Sequence, residues 1–383
     1  MSVKPTYRIF YAVADSATAQ VQGSRIWYYN LYLPLCDLGH DVVRFDYDLT
    51  PHTRHRDMTV ARHRAFVYEN RPKLEKALLA QIARAHAEKP IDIFFSYFYS
   101  ADITAATLEK IRDMGITTVN WYCNGSYQFN LVEQIAPAYR YCLVPEKFRL
   151  ADYQRIGANP IYCQEAANPN VYMPHDLPYE FDVTFVGQKY GDRPVYIAHL
   201  RKQGIDARVW GPGWQSQAHH LPLWRVAGSR VKRFLRGAEP LFPPRIPADI
   251  CGPPLSDEEL IKMYSRSRIN LGFSNVADTT SGIKQVRLRD FEVPMSGGFY
   301  MVEYMEELAE FFEIGQEIVC YANQQDLAAK IHYYLQHEDE REQIRQAGWR
   351  RATRDHSWQR RLSDSFAQMQ LRDVTPSKPE IHA

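Results

Sequence analysis

IYCQEAANPNVYMPHDLPYEFDVTFVG, residues 161–187, changes character twice. Its ends, IYCQEA (161–166) and FDVTFVG (181–187), are short apolar runs rich in β-branched and aromatic residues, the composition of buried strands. Residues 167–180 between them carry Pro169, Pro174 and Pro178 with Asn168 and Asn170, which interrupts regular structure. The stretch reads as the last strand of one α/β series, a linker over 167–180, and the first strand of a second series.

Outward from the linker the same alternation repeats on both sides. Toward the N-terminus, YRIFYAVA (7–14), DVVRFDY (41–47), IDIFFSY (91–97), ITTVNWYC (116–123) and YRYCLVP (139–145) read as strands. Helical patterns separate them: Ser24 to Gly39 with Trp27, Leu31, Leu35 and Leu38 on one face, a long region at 57–88 interrupted near Pro72, then 103–113 and 146–155. Toward the C-terminus, DARVWGPG (206–213), RINLGFS (268–274), GFYMVEY (298–304) and QEIVCYA (316–322) are strands. Helices are expected at 193–203, at 257–266 behind a Ser256–Glu259 capping box, at 285–295, and beyond 325. Strand–helix alternation predicts parallel sheets covered on both faces, here two doubly wound domains with a cleft between their carboxyl edges. A length of 383 residues fits two domains.

Composition excludes several classes. Lys+Arg of 46 against Asp+Glu of 45 leaves a net charge of +1, too little for a polyanion-binding field, so no nucleic-acid partner is expected. The basic run HTRHRDMTVARHR (52–64) then reads as a solvated helix face. Six cysteines are scattered without a CxxC pair or a Cys/His cluster, which disfavours a zinc site or disulfide framework and suits a reducing cytoplasm. No apolar run approaches a membrane span, and MSVKPTYRIFYAV is expected to pass into a strand without a signal peptide. The segment LWRVAGSRVKRFLRG (223–237) is amphipathic and basic, suited to peripheral contact with anionic lipid at the inner membrane surface, although a surface excursion accounts for it too. GxGxxG, P-loop and GxSxG patterns are absent from the strand-to-helix turns.

The segment with most chemistry is SGIKQVRLRDFEVPMSGGFYMVEY (281–304). A helix starting near Lys284 places Gln285, Leu288, Arg289 and Glu292 on one face, a guanidinium and a carboxylate together near a helix N-terminus. Phosphate suits the helix end and the cations, and a carboxylate suits ribose hydroxyls. An internal Arg289–Glu292 pair on a solvated helix explains the same spacing, but Pro294 and Gly297-Gly298 favour a tight turn at a strand edge.

This segment resembles the C-terminal domain of CgeB-like, group 1 type glycosyltransferases. The likeness rests on Arg289, Phe291, Glu292, Gly297, Gly298, Glu303, Gly315, Glu317, Tyr334, Leu335, Arg341 and His356-Ser357. It is strongest over 281–362 and extends to FDVTFVGQKYGDRPVYIAHL and to NWYCNGSYQF through QEAANPNVY. The resemblance implies the GT-B fold, two Rossmann-like domains facing each other across a cleft. Residues 1–166 would form the acceptor domain, 167–180 the linker, 181–355 the nucleotide-sugar domain, 356–372 a helix packing back on the N-domain, and 373–383 a disordered tail. By the same resemblance Glu292 holds the donor ribose, Arg193 faces phosphate, and Gly187 lets the backbone approach the donor. Two departures stand out: Lys284 occupies a position where relatives carry a second glutamate, and Trp121-Tyr122-Cys123-Asn124-Gly125 replaces a WF-C-D-D type run on the acceptor side.

The expected activity is transfer of a sugar from a nucleoside diphosphate sugar to an unidentified glycan, lipid-linked or protein acceptor. Arg193, Arg289, Lys284 and helix N-termini would stabilise the diphosphate, so no metal and no cofactor beyond the co-substrate is expected. Donor-binding residues are then Gly187, Arg193, Lys284, Gln285, Arg289, Glu292, Gly297 and Gly298; Trp121 and Asn124 face the acceptor, and Asp15 and Asp102 are candidate bases. A non-catalytic nucleotide- or saccharide-binding protein and a sugar-nucleotide epimerase are the alternatives on this scaffold.

Overall fold

Apolar runs flanked by helices assemble into two six-stranded sheets in the computed structural model, which describes residues 5–15, 24–215, 244–276, 282–369 and 371. The patch 223–237 and the tail 373–383 lie outside the described residues. The first sheet contains β1 (Arg8–Ala12), β2 (Asp41–Arg44), β3 (Ile93–Ser96), β4 (Thr117–Trp121), β5 (Tyr141–Val144) and β6 (Pro160–Tyr162), ordered β2-β1-β3-β4-β5-β6. The second contains β7 (Phe181–Val186), β8 (Ala207–Trp210), β9 (Cys251–Gly252), β10 (Ser267–Gly272), β11 (Tyr300–Glu303) and β12 (Val319–Tyr321), ordered β12-β11-β10-β7-β8-β9. Every pairing is parallel. Strand order reverses between β1 and β3 and between β7 and β10, the places where open α/β sheets receive ligands at their carboxyl edge.

Burial on both faces explains the unbroken apolar strands. Ile93, Phe94 and Phe95 of β3 are fully buried, as are Val183 and Phe185 of β7. Each such side chain stabilises by about 1.5–3 kcal/mol relative to exposure. In the second sheet Phe185, Phe273 and Tyr196 meet edge to face, at 4.9 and 5.5 Å.

The chain divides into two compact units. One is Leu31–Cys163 with the described residues up to Asp15 and from Leu362 onward; the other is Gln164–Arg361 with residues 24–30. Residues 167–180 hold no strand or helix, but they are packed into the second unit rather than left loose. Asn168 Nδ2 donates to the Tyr29 carbonyl (2.8 Å), and the backbone of Ala167 bridges to Ser357. In the first unit Phe366, on the helix Trp358–Gln368, stands 6.0 Å from the Tyr7 ring and 5.6 Å from His40.

Local details differ from the sequence expectation for physical reasons. Pro72 does not interrupt its helix, which runs from Ala61 to Glu88. A proline removes one backbone donor, and buried Val67, Leu74, Leu78 and Ile82 hold the helix on both sides of it. The helix before Gly39 is wound as a π-helix over Tyr28–Tyr32 before an α-turn at Leu33–Asp37. β9 was not expected, because two residues carry no period. The helix expected from Lys284 starts at Leu288. Arg287 precedes it in extended conformation, and the Asp290 carboxylate accepts the Arg287 N–H at 2.8 Å.

Candidate functional site

The carboxyl edge of the second sheet, at the β7/β10 reversal, gathers three guanidinium groups around one glycine. Gly187 follows β7, its N–H bonded to the Trp210 carbonyl (2.8 Å) and its carbonyl to Trp214 Nε1 (2.6 Å). A Cβ here would lie 2.7 Å from Arg289 Nη2 and 2.7 Å from Phe185 Cζ, so only glycine lets the arginine lie on the backbone. Arg193 opens the helix Arg193–Lys202; it is 3% exposed and lies 3.7 Å above the Tyr190 ring. Its Nη1 donates to the Gln188 carbonyl (2.7 Å) and its Nη2 to the Tyr190 hydroxyl (2.6 Å). Arg287 donates from Nε to the Phe273 carbonyl (3.2 Å) and from Nη2 to the Asn275 carbonyl (2.7 Å).

Among the described residues no carboxylate lies within ion-pair distance of Arg193, Arg287 or Arg289. Nε of Arg193 and of Arg289 is buried without a described partner. Burial and then the neighbouring Arg287 and Arg289 pull the Arg193 pKa down to about 9, against the Tyr190 phenol. Burial would raise the Tyr190 pKa, but Arg287, Arg193 and Arg289 together bring it below 10.0. Desolvated like charges are costly unless an anion joins them. Chemically the cluster suits an oxyanion bearing more than one negative charge.

Lys284 is not part of that cluster. Its ammonium pairs with Glu303 (3.1 Å), at the end of β11, and donates to the Tyr304 carbonyl (2.8 Å). Glu303 also accepts from Ser274 N (3.3 Å) and Asn275 Nδ2 (3.3 Å), so a carboxylate does stand at position 284, supplied from another strand. Gln285 is 6% exposed, with its N–H on the Ser274 carbonyl (3.0 Å). Glu292 lies mid-helix and 5% exposed rather than open at an edge, against Tyr172, Asn30 and Arg289. Burial pushes its pKa up to about 7, opposed by the Tyr172 hydrogen bond and Arg289, and Oε1 has no described hydrogen-bond partner.

Gly297 and Gly298, expected with the donor-binding residues, lie away from the guanidinium cluster. They precede β11, at the amino edge of a parallel sheet whose carboxyl edge holds Gly187. Packing accounts for both: a Cβ would meet Pro174 Cγ at 2.9 Å from Gly297, and Asn270 Nδ2 at 2.8 Å from Gly298.

In the first unit Asp15, beyond β1, pairs with Arg44 (2.7 Å). Asp102, after β3, is 4% exposed, accepts the Tyr99 N–H (2.9 Å) and faces His52 Nδ1 at 3.6 Å. The two carboxylates thus flank the β1/β3 reversal. Trp121 is wholly buried in the sheet, a core residue rather than a surface for ligand. Asn124 lies at the carboxyl edge, donating to the Tyr97 hydroxyl (3.1 Å). The run 52–64 is not one solvated helix face: its helix begins at Ala61, His52 is buried, and Arg56 is half-buried against Tyr99. His356 is structural, caged by Phe291, Phe311 and Phe312 and bonded to the Phe311 carbonyl (2.7 Å).

Arg287, Tyr190 and Arg56 are residues that sequence reasoning missed, and Glu303 was read there only as part of the family pattern, without its place beside Lys284. The alternation Arg287-Leu288-Arg289 signals an extended entry into the helix, with both arginines flanking its first residue.

Residues 193–367 match the family model described as glycosyl transferase-like, which covers most of the second unit beyond β7 and leaves the first sheet unmatched. No curated protein matches the chain. Solved structures share its fold at low identity. Sucrose-phosphate synthase from Thermosynechococcus elongatus aligns with a TM-score of 0.60 and 14% identity, covering 94% of this chain and 98% of that one. A glycosyltransferase from Rickettsia africae gives 0.56 and 12%, covering 94% and 97%. Anabaena HepE in complex with UDP-glucose gives 0.54 and 9%, covering 94% and 99%. The fold is therefore GT-B, built from two Rossmann-like domains. No described helix is long and apolar enough to cross a membrane.

Proposed function

We propose that this chain is a glycosyltransferase that moves a sugar, of hexosyl type, from a nucleoside diphosphate sugar to an acceptor. The observation that carries the reading is the Arg193–Arg287–Arg289 cluster at the β7/β10 reversal, three guanidiniums without a described carboxylate. As the sugar's anomeric carbon parts from the diphosphate, negative charge grows on the leaving oxygen. Cations already fixed beside it stabilise that charge without reorganising. They also supply the charge a divalent metal would bring, so transfer proceeds without one.

Glu292 holds the ribose in this reading, since its unpartnered Oε1 is left to accept a hydroxyl. Gly187 and Gln285 line the donor, and the Lys284–Glu303 pair borders the sugar. The first unit takes the acceptor, with Asp15 or Asp102 as base if transfer inverts the anomeric centre. The pattern from Arg289 to Ser357 supports the CgeB-like branch, and the scattered free cysteines support a cytoplasmic protein, with 223–237 as its peripheral membrane contact.

A thermal-shift screen of nucleoside diphosphates and their sugars tests the reading. UDP-glucose, held by Anabaena HepE, is the first donor to try. One diphosphate should raise the melting temperature, and its sugar should slowly release that diphosphate. Arg289→Gln should weaken binding about ten-fold or more, the worth of a charge-assisted contact. A flat screen across all bases would overturn the proposal.

A further inference from the structure

The carboxyl edge of the first sheet holds a second, separate cation. Segments following three strands of that sheet converge on it: Arg56 after β2, Tyr97 and Tyr99 after β3, Tyr122 and Asn124 after β4. Arg56 Nη1 donates to the Tyr99 hydroxyl, and its guanidinium lies 5.0 Å from the Tyr99 ring centroid. Tyr97 stacks on Tyr99 at 5.7 Å, and Tyr122 stands edge-on to both, at 5.8 and 5.5 Å. Asn124 Nδ2 donates to the Tyr97 hydroxyl (3.1 Å), and its Oδ1 accepts from Tyr127 (3.1 Å), whose ring is 42% exposed. One residue beyond Tyr99, the Ser100 carbonyl accepts from Arg71 Nη1 (3.2 Å).

This arrangement has charge without counter-charge. Arg56 is half-buried, and the groups that act on it most are the phenols of Tyr99, Tyr97 and Tyr122. Among the described residues no carboxylate reaches Arg56 or Arg71. A guanidinium carries five N–H donors, and Arg56 spends one of them on Tyr99. The Tyr99 oxygen accepts that bond, which leaves its own proton to donate elsewhere. A planar fork beside a phenol donor, walled by aromatic rings, fits a compact oxyanion on a ring-shaped molecule. A solvated basic surface would instead leave Arg56 in water, clear of the rings.

We propose that Arg56, with Tyr99, binds an oxyanion, a phosphate or carboxylate carried by the acceptor. That the anion belongs to an acceptor rests on the transferase reading; the cation site itself does not. Tyr127, whose ring is exposed, then gives the acceptor's ring its apolar wall, the buried Tyr97 and Tyr122 hold Tyr99 in place, and Asn124 orients Tyr97 and Tyr127.

Isothermal titration calorimetry on the full chain tests this, with the donor site filled by the nucleoside diphosphate that the thermal-shift screen selects. The probes are glucose 6-phosphate, glucuronate, inorganic phosphate and uncharged glucose. At least one of the three anions should bind saturably while glucose does not, and the preferred anion tells phosphate from carboxylate. Arg56→Gln should weaken that binding about ten-fold or more, and Arg56→Lys, which keeps charge but loses the fork, should fall between. Retained nucleotide affinity in Arg56→Gln shows that the variant is folded. Saturable binding of none of the anions, or equal affinity in Arg56→Gln and the parent, would overturn the proposal. If no nucleotide binds at all, the transferase reading fails separately. The same titration on Arg289→Gln, which weakens the first cluster, then decides the Arg56 site alone.

Discussion

Replacing Glu292 by glutamine is expected to raise stability at alkaline pH relative to acid pH. Glu292 is 5% exposed, and burial is the main reason its pKa climbs from 4.5 to about 7, despite Tyr172 and Arg289. The folded-state value exceeds the unfolded one, so the fold binds this proton more tightly. Its contribution to stability is complete below pH 4.5 and is lost as the pH rises through about 7. A gap of about 2.5 pH units, at about 1.4 kcal/mol each, amounts to roughly 3 kcal/mol lost between pH 4.5 and 8. Glutamine has the same shape and cannot ionise, so the variant escapes that loss. One kcal/mol moves the melting temperature of a domain this size by roughly 2–4 °C. The variant's melting temperature minus the parent's should therefore grow by roughly 6 °C or more from pH 5 to pH 8. Glu146, another buried carboxyl with a pKa pushed up to about 7, imposes the same trend on both proteins and cancels in the difference. Scanning fluorimetry of both proteins without ligand, at pH 5, 6, 7 and 8 and constant ionic strength, measures it. Two parallel curves would refute the reasoning, because they would mean that Glu292 titrates alike folded and unfolded.

Gly187→Ala should cost nucleotide affinity about ten-fold and lower stability by about 1–3 kcal/mol, because the new Cβ would lie 2.7 Å from Arg289 Nη2, which can swing aside, and 2.7 Å from Cζ of the fully buried Phe185, which cannot; calorimetry and melting on one preparation separate the two effects. Gly211→Ala should be worse for the fold, by about 2 kcal/mol or more, since Gly211 has φ +129° and a Cβ there would sit 2.5 Å from the Gly187 carbonyl; an unchanged denaturation midpoint contradicts this. Nucleotide binding should survive EDTA, and a loss restored by Mg²⁺ or Mn²⁺ would mean that the guanidinium cluster does not supply the charge.

The sheets were legible because their strands are buried on both faces. Val183 and Phe185 in β7, or Phe94 and Phe95 in β3, announce themselves by composition alone. β9 had no such signal: it is held by its ladder to β8 and by Gly252, where a Cβ would lie 2.0 Å from the Trp210 ring. The guanidinium cluster was half legible. Gly187, Arg193 and Arg289 follow from local pattern and resemblance, but a helical phase started at Lys284 hides Arg287, whose backbone is extended. Glu303 and Lys284 meet across adjacent segments, and Arg56 meets Tyr99 across 43 residues. Spacing along one element carries no information about partners brought together by the crossover connections between strands.

The division of the chain has a consequence for biosynthesis. Neither unit is one continuous stretch: residues 24–30 belong with the second unit although both of their flanks lie in the first, and the chain returns to the first at Leu362. Tyr7 and His40 are packed by Phe366, which leaves the ribosome more than three hundred residues later. At roughly 5–20 residues per second that is a delay on the order of 20–60 s. Throughout it the nascent first sheet presents an uncovered aromatic surface, so chaperones that shield apolar patches during translation should engage this protein early and let go only after the final helix has emerged.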